Sequence, residues 1–109
     1  MPEPQLTLHF DGGAITLKLV AGAARELETR LNDLASQWQP GPRRSLPVFE
    51  YRYTGEVFLE LFCNPNLWPS PFAAKVLLAV RDDRLRLSQE LMLPQLLTDL
   101  EVYLQSVLP

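Results

Sequence analysis

The chain has 109 residues, of which 47% are hydrophobic and 21% are charged, with a formal net charge of −3 and a pI near 5.0. This length suits one domain around one core, so we expect residues 1–109 to fold as a single domain, and the apolar fraction excludes an intrinsically disordered chain. The acidic balance excludes a general attraction to nucleic acid or anionic lipid, because that attraction depends on clustered lysines and arginines.

A single cysteine, Cys63, excludes an internal disulfide and a multi-cysteine metal site, and it is typical of a reducing compartment. No run of residues approaches the roughly 18 apolar positions that a membrane-spanning helix needs. We therefore expect a cytoplasmic protein with no membrane partner. Met1–Phe10 has no signal-peptide pattern. A processed organellar form stays open as an alternative, because its presequence would have been removed.

The first part of the chain predicts a hairpin followed by a helix. QLTLHFDGGAITLKL alternates between apolar and polar residues around the turn Asp11-Gly12-Gly13, as a β-hairpin with one apolar face does. From Ala21 to about Trp38 the apolar spacing changes to three or four residues, which predicts an amphipathic helix lying across that face. The apolar stripe of the helix consists of Ala24, Leu27, Leu31, Leu34 and Trp38.

A second hairpin follows a proline-rich connector. Gln39–Pro47 contains three prolines, which fix φ and lack an amide hydrogen, so this segment should be an extended surface connector. VFEYRY and EVFLELFC then alternate around Thr54-Gly55, which predicts two paired strands. The second of these strands has one apolar side, with Val57, Leu59, Leu61 and Cys63, and an opposite side where Phe58 and Phe62 alternate with Glu56 and Glu60.

The last part of the chain predicts two more strands and a helix. Asn64–Pro71 should be a long connection, after which AAKVLLAV is typical of a central strand and RLRLSQELM of a neighbouring strand. LPQLLTDLEVYLQSVL predicts a closing helix, with Pro94 in its first turn and a broad apolar stripe of Leu96, Leu97, Leu100, Leu104 and Val107. The order β-β-α-β-β-β-β-α indicates an α+β fold, in which a mainly antiparallel sheet has both helices packed on one face. The other face should be open.

The residues that could support catalysis do not form a recognisable site. His9 is the only histidine and should be a surface side chain, because no second histidine or cysteine cluster would complete a metal or acid-base site. Cys63 should be buried and inert, and Glu56 and Glu60 should pair with basic residues on neighbouring strands. The chain also lacks nucleophile-elbow, phosphate-loop and zinc-helix motifs, so we expect no enzyme and no cofactor.

The open face is the strongest candidate for a binding surface. Phe58 and Phe62 should be exposed there, beside the basic residues Arg52, Lys75, Arg81 and Arg86. A single strand of nucleic acid could stack its bases on the phenylalanines, or a protein, including a second copy of this chain, could bury them. Four carboxylates on the same face repel phosphate, so the pattern favours a protein partner and a homo-oligomer, specifically a homodimer; these are Glu50, Glu56, Glu60 and Glu90.

Two loops add candidate contact residues. Trp68, flanked by Leu67 and Pro69, is either a lid over the end of the core or an anchor for a partner. Arg43 and Arg44, between prolines, are either a phosphate contact or recognition element, or ordinary solvated arginines. Both alternatives stay open at the level of sequence.

The layout also resembles a known architecture. GAITLKLVAGAARELETRLNDLASQW, the later stretch VFLELFCNPN…AAKVLLAVRDDRLRLSQELMLPQLLTDL and the helix after LP are similar in arrangement to small uncharacterised cyanobacterial proteins with a Whirly-type fold, that of single-stranded-DNA-binding regulators. This resemblance implies the α+β fold and a cyanobacterial origin. Plant Whirly proteins carry K-G-K-A-A-L on the strand that contacts DNA, whereas the lysines here are Lys18 and Lys75 alone, so no DNA-binding residue is carried over.

Overall fold

The computed structural model of the protein describes residues 5–38, 45–55 and 57–107. In chain order the elements are β1 (Gln5–Phe10), β2 (Gly13–Lys18), α1 (Ala21–Gln37), β3 (Phe49–Thr54), β4 (Phe58–Cys63), β5 (Lys75–Arg81), β6 (Arg86–Met92) and α2 (Leu93–Val107). Two short 3-10 turns, Pro65–Leu67 and Pro71–Ala73, lie between β4 and β5. The α+β class and the order of elements predicted from the sequence are confirmed.

The strands form two antiparallel sheets rather than one continuous sheet. β1 and β2 make a two-stranded sheet, and β3, β4, β5 and β6 make a four-stranded sheet in chain order. β1 lies close to β6, but the two strands share no ladder of hydrogen bonds. The helix packed against the first hairpin is α2, which contacts β1 and also α1, whereas the sequence predicted α1 in that position. α1 contacts β3, and α2 and β1 both contact β6.

The turn of the first hairpin requires a glycine. Phe10 pairs with Gly13, so Asp11 and Gly12 alone connect β1 to β2. Gly12 has a φ of +86°, a backbone conformation that residues with a Cβ atom rarely adopt. The Asp-Gly sequence thus sets the register in which Leu6 pairs with Leu17.

The core lies between the helices and the inner side of the four-stranded sheet. The predicted stripe of α1 is confirmed, because all five of its residues are buried. The inner side of the sheet contributes Phe49, Tyr51, Leu59, Leu61, Cys63, Val76, Leu78, Val80 and Leu91. Hydrogen bonds tie the layers together, with Tyr51 donating its hydroxyl to the Ala23 carbonyl at 3.3 Å and Leu93 N–H donating to the Ala74 carbonyl at 3.0 Å.

The closing helix buries a slightly different stripe from the one its leucines predict. Leu96, Leu100 and Leu104 are buried as expected, whereas Leu97 and Val107 are only half-buried. Asp99 and Tyr103 are buried in addition, and the Tyr103 hydroxyl donates to the Leu19 carbonyl. No helix in the described part of the chain is long and apolar enough to cross a membrane.

Candidate contact surface on the open sheet face

The side of the four-stranded sheet that faces away from the core, called here the open face, is organised in rows across the strands. The cross-strand register defines an acidic row (Glu50, Phe62, Leu77, Glu90), a middle row (Arg52, Glu60, Ala79, Ser88) and a basic row (Thr54, Phe58, Arg81, Arg86). Beyond the acidic row, Lys75 pairs with Met92. Each row has one side chain from each strand because successive residues of a strand point to opposite sides.

The acidic row contains an exposed apolar pair. Phe62 and Leu77 lie directly opposite each other on β4 and β5 and are 41% and 45% exposed. Met92, at the neighbouring position of β6, is also exposed. Phe62 and Leu77 belong to the two interior strands of the sheet, and Met92 belongs to the edge strand next to them. Glu50 and Glu90 lie at the two ends of the acidic row. Phe62 therefore has the exposed position that the sequence predicted.

Phe58, the other predicted phenylalanine, is half-buried rather than fully open. The guanidinium carbon of Arg81 lies 4.4 Å from the centre of its ring, which is the geometry of a cation–π contact. Beside it, Thr54, Gly55, Phe58 and the segment 81–84 line an open cavity of about 570 Å³. The basic row thus ends in a depression whose lining includes two arginines and two aspartates, all within the segment 81–84.

The connection between β4 and β5 is held in place by asparagines. Asn64 Oδ1 accepts a hydrogen bond from the Asn66 amide N–H at 3.1 Å. The Asn66 side chain accepts from Leu46 N–H and donates to the Leu46 carbonyl, both at 2.8 Å, so this connection is tied to the segment that precedes β3. A loop fixed in this way loses little further conformational entropy when a partner binds it.

Trp68 covers part of the core, as the lid alternative predicts, and the anchor alternative stays a prediction. Its ring is half-buried and packs against the core, and Lys75 Nζ lies 5.9 Å from the ring centre. Because Lys75 lies on the open face, this contact places the tryptophan at the margin of that face. The adjacent Leu67 is 70% exposed, and Phe72, in the short 3-10 turn before β5, is 81% exposed. The sequence did not identify Phe72 as a candidate contact residue, although a position after Pro69 and Pro71 and before a strand is typical of a loop side chain.

The basic candidates are only partly placed by the structure. Arg52 is exposed in the middle row and Lys75 is exposed next to the acidic row. Arg43, Arg44 and Glu56 lie outside the described residues. Glu60 lies directly across from Arg52, the position that cross-strand charge pairing requires, but the two side chains form no ion pair in the described part of the chain.

Cys63 lies on the inner side of the sheet and is buried. Burial raises the pKa of its thiol, so little of the reactive thiolate forms near neutral pH. We expect iodoacetamide to alkylate Cys63 at least about tenfold more slowly than a thiol at an exposed position. The matched comparison is Thr29→Cys on the exposed side of α1, with the two rates read by mass spectrometry from one native sample. Equal rates at the two positions would contradict this prediction.

One polar cluster was missed by the sequence reasoning. Asp99 of α2 is buried and accepts the His9 backbone N–H at 2.8 Å, the His9 Nδ1–H at 2.9 Å and Gln95 Nε2–H at 2.9 Å. His9 is exposed, as predicted, but its ring is held by this carboxylate. Because the carboxylate accepts hydrogen bonds only, it places the ring proton on Nδ1. The cluster joins α2 to the outer edge of β1. Within the described ranges, no group of three His, Cys, Asp or Glu residues could hold a metal ion.

Comparisons of the chain with protein-family models, with curated proteins and with solved structures found no match. The resemblance to Whirly-type proteins and the cyanobacterial origin stay predictions.

Proposed function

We propose that the protein is a non-enzymatic binding module that associates with a second copy of itself through the open face, in the cytoplasm. The observation that carries this proposal is the pair Phe62 and Leu77, which are exposed side by side in the interior of the sheet. Burying such a pair is favourable by about 25 cal/mol per Å² of apolar area. A second sheet face is the simplest surface that covers two neighbouring strands at once.

The charges around the apolar pair support a protein partner. Among the described positions of the open face, four are basic and three are acidic; they are Arg52, Lys75, Arg81 and Arg86, and Glu50, Glu60 and Glu90. Charges of both signs at the margin of an apolar patch suit a protein interface, in which each can meet its opposite. The carboxylates at the two ends of the acidic row would instead repel a phosphate backbone running along it.

We expect the proposed dimer to be weak, because the open face is small. Four strands about 4.8 Å apart, each with about six residues rising about 3.3 Å, span a footprint of about 400 Å². Specific interfaces bury about 800 Å² on each partner, so we expect a dissociation constant of micromolar order or weaker. Leu67, Trp68 and Phe72 would extend the buried area if the loop also contacts the partner.

Single-strand nucleic-acid binding is the second candidate function. It is favoured by two aromatic rings that each lie next to a cation, Phe58 with Arg81 and Trp68 with Lys75. Such pairs can stack a base and neutralise its phosphate. This function requires measurable affinity for a labelled oligonucleotide at low salt, where the electrostatic contribution is greatest.

Analytical ultracentrifugation over a wide concentration range tests self-association. We expect the wild type to form a dimer and Phe62→Glu to weaken it by about tenfold or more, because the substitution buries a carboxylate in an apolar contact. Val102→Glu is the matched control, since Val102 is an exposed apolar residue on α2 and should leave association unchanged.

A wild type that stays monomeric at millimolar concentration would refute the self-association proposal. Oligonucleotide binding by that monomer at low salt would then establish the second candidate in its place. Equal weakening by Phe62→Glu and Val102→Glu would show that the dimer does not use the open face.

A further inference from the structure

We infer that the second copy docks on the open face about a two-fold axis that runs across the strands, so that the acidic row of each copy lies over the basic row of the other. This inference rests on the proposed self-association. It specifies which residues meet across the interface, and three features of the structure support it: the order of charges in the rows, a like-charge pair within the basic row, and the positions of the loop and the cavity.

An aligned face-to-face pair of identical sheets has two possible directions for its two-fold axis. If the axis runs across the strands through the middle row, each strand lies over the same strand of the partner, and the two run in opposite directions. Row positions are then exchanged, so Glu90 lies over the partner's Arg86 and Phe62 lies over the partner's Phe58. Symmetry forms each of these contacts twice.

If the axis instead runs along the strands, each row lies over the same row of the partner with the strand order reversed. Glu50 then lies over the partner's Glu90, and this carboxylate pair also occurs twice. Like charges brought together at an interface are unfavourable. In the preferred arrangement the middle row lies on the axis, so Arg52 and Glu60 each lie over their own copy, a like-charge contact that occurs once for each residue. Arg52 and Glu60 are direct neighbours on adjacent strands, so each also has an opposite charge of the partner one strand away, about 4.8 Å, which offsets that contact.

The basic row itself indicates an anionic partner. Arg81 and Arg86 lie directly opposite each other on β5 and β6, and like charges at such positions destabilise a sheet. Arg81 also stacks on Phe58, which keeps its guanidinium on the open face. A carboxylate placed over this pair would offset the repulsion, and Glu90 of the partner has that position in the preferred arrangement.

The two ends of the open face are also complementary. Trp68 contacts Lys75 at the end where β5 begins, and the cavity lined by Thr54, Gly55, Phe58 and 81–84 lies at the end where β5 finishes. An axis across the strands brings the loop of each copy next to the cavity of the other. An axis along the strands would place the two loops together and the two cavities opposite each other.

Two charge-reversal variants and their mixture test the arrangement. We expect Glu90→Arg and Arg86→Glu each to weaken the homodimer by about tenfold or more, because each creates two like-charge contacts. In an equimolar mixture, every one of these contacts becomes an arginine–glutamate pair. The mixture should therefore form a heterodimer with an affinity within about threefold of the wild type, as read by sedimentation and native mass spectrometry. Both positions are exposed, and circular dichroism on each variant verifies its folding.

The outcomes separate this inference from the proposal on which it rests. A monomeric wild type overturns both. A wild-type dimer that Glu90→Arg strengthens indicates an axis along the strands, since the change would relieve the contact with Glu50; this overturns the inference and leaves self-association intact. A wild-type dimer that neither variant changes, or a mixture that fails to form heterodimers, likewise overturns the inference alone.

Discussion

Leu78→Ala is expected to lower the free energy of unfolding by about 2–5 kcal/mol, because it removes a fully buried side chain from the inner side of β5 and leaves a cavity. Leu77→Ala, one residue earlier on the same strand, should change that free energy by about 0.5 kcal/mol or less, since Leu77 lies on the open face. The two substitutions are chemically identical and differ only in the side of the sheet on which they fall.

Urea denaturation at a protein concentration too low for association measures both free energies. The two substitutions should affect self-association in the opposite way. Leu77→Ala should weaken the dimer. Leu78→Ala should leave the affinity of the dimer close to that of the wild type, measured under conditions in which the variant is folded. Similar losses of stability for the two variants would contradict the register of β5. They would also remove the basis for an open face.

Asp99→Ala is expected to lower the free energy of unfolding by about 2–4 kcal/mol, because it removes the acceptor for the backbone and ring of His9 and for Gln95. The His9 N–H lies at the outer edge of β1, where no strand of the larger sheet pairs with it. Without the carboxylate, a partly buried donor would lose its partner, and unsatisfied groups of this kind cost more than the bond itself contributes.

Two further variants make this prediction specific. Asp99→Asn keeps the shape and one acceptor oxygen but turns an amide N–H₂ toward a donor, so its cost should be intermediate. Asp33→Ala removes an exposed carboxylate from α1 and should change stability by about 0.5 kcal/mol or less. Equal midpoints for Asp99→Ala and Asp33→Ala in urea denaturation would show that the cluster does not hold α2 against β1.

Much of the fold could be predicted because it depends on local patterns. The alternation in β1 to β6 and the three-to-four spacing in α1 each place the apolar side chains on one side of the element. The hydrophobic effect then favours burial of that side. The division into two sheets could not be predicted in this way. Whether β1 pairs with β6 or only lies near it depends on how α2 packs, which is a property of the whole chain.

The candidate site was predictable to a similar extent. Phe62 follows directly from the alternation in β4, so its exposure could be read from the sequence. The degree of exposure of Phe58 and Trp68 could not, because it depends on Arg81 and Lys75, which belong to a different strand. Asp99 was missed because, within the sequence, it appears as one polar residue of an amphipathic helix.

The sequence by itself determined the elements, their order and the two sides of each strand, because these depend on neighbours within a few residues. Only the tertiary structure decided which side chains meet across strands: the pairing of Phe62 with Leu77, the opposition of Arg81 and Arg86, and the burial of Asp99 beside His9. These contacts join residues far apart in the chain, and their positions follow from the packing of the core as a whole.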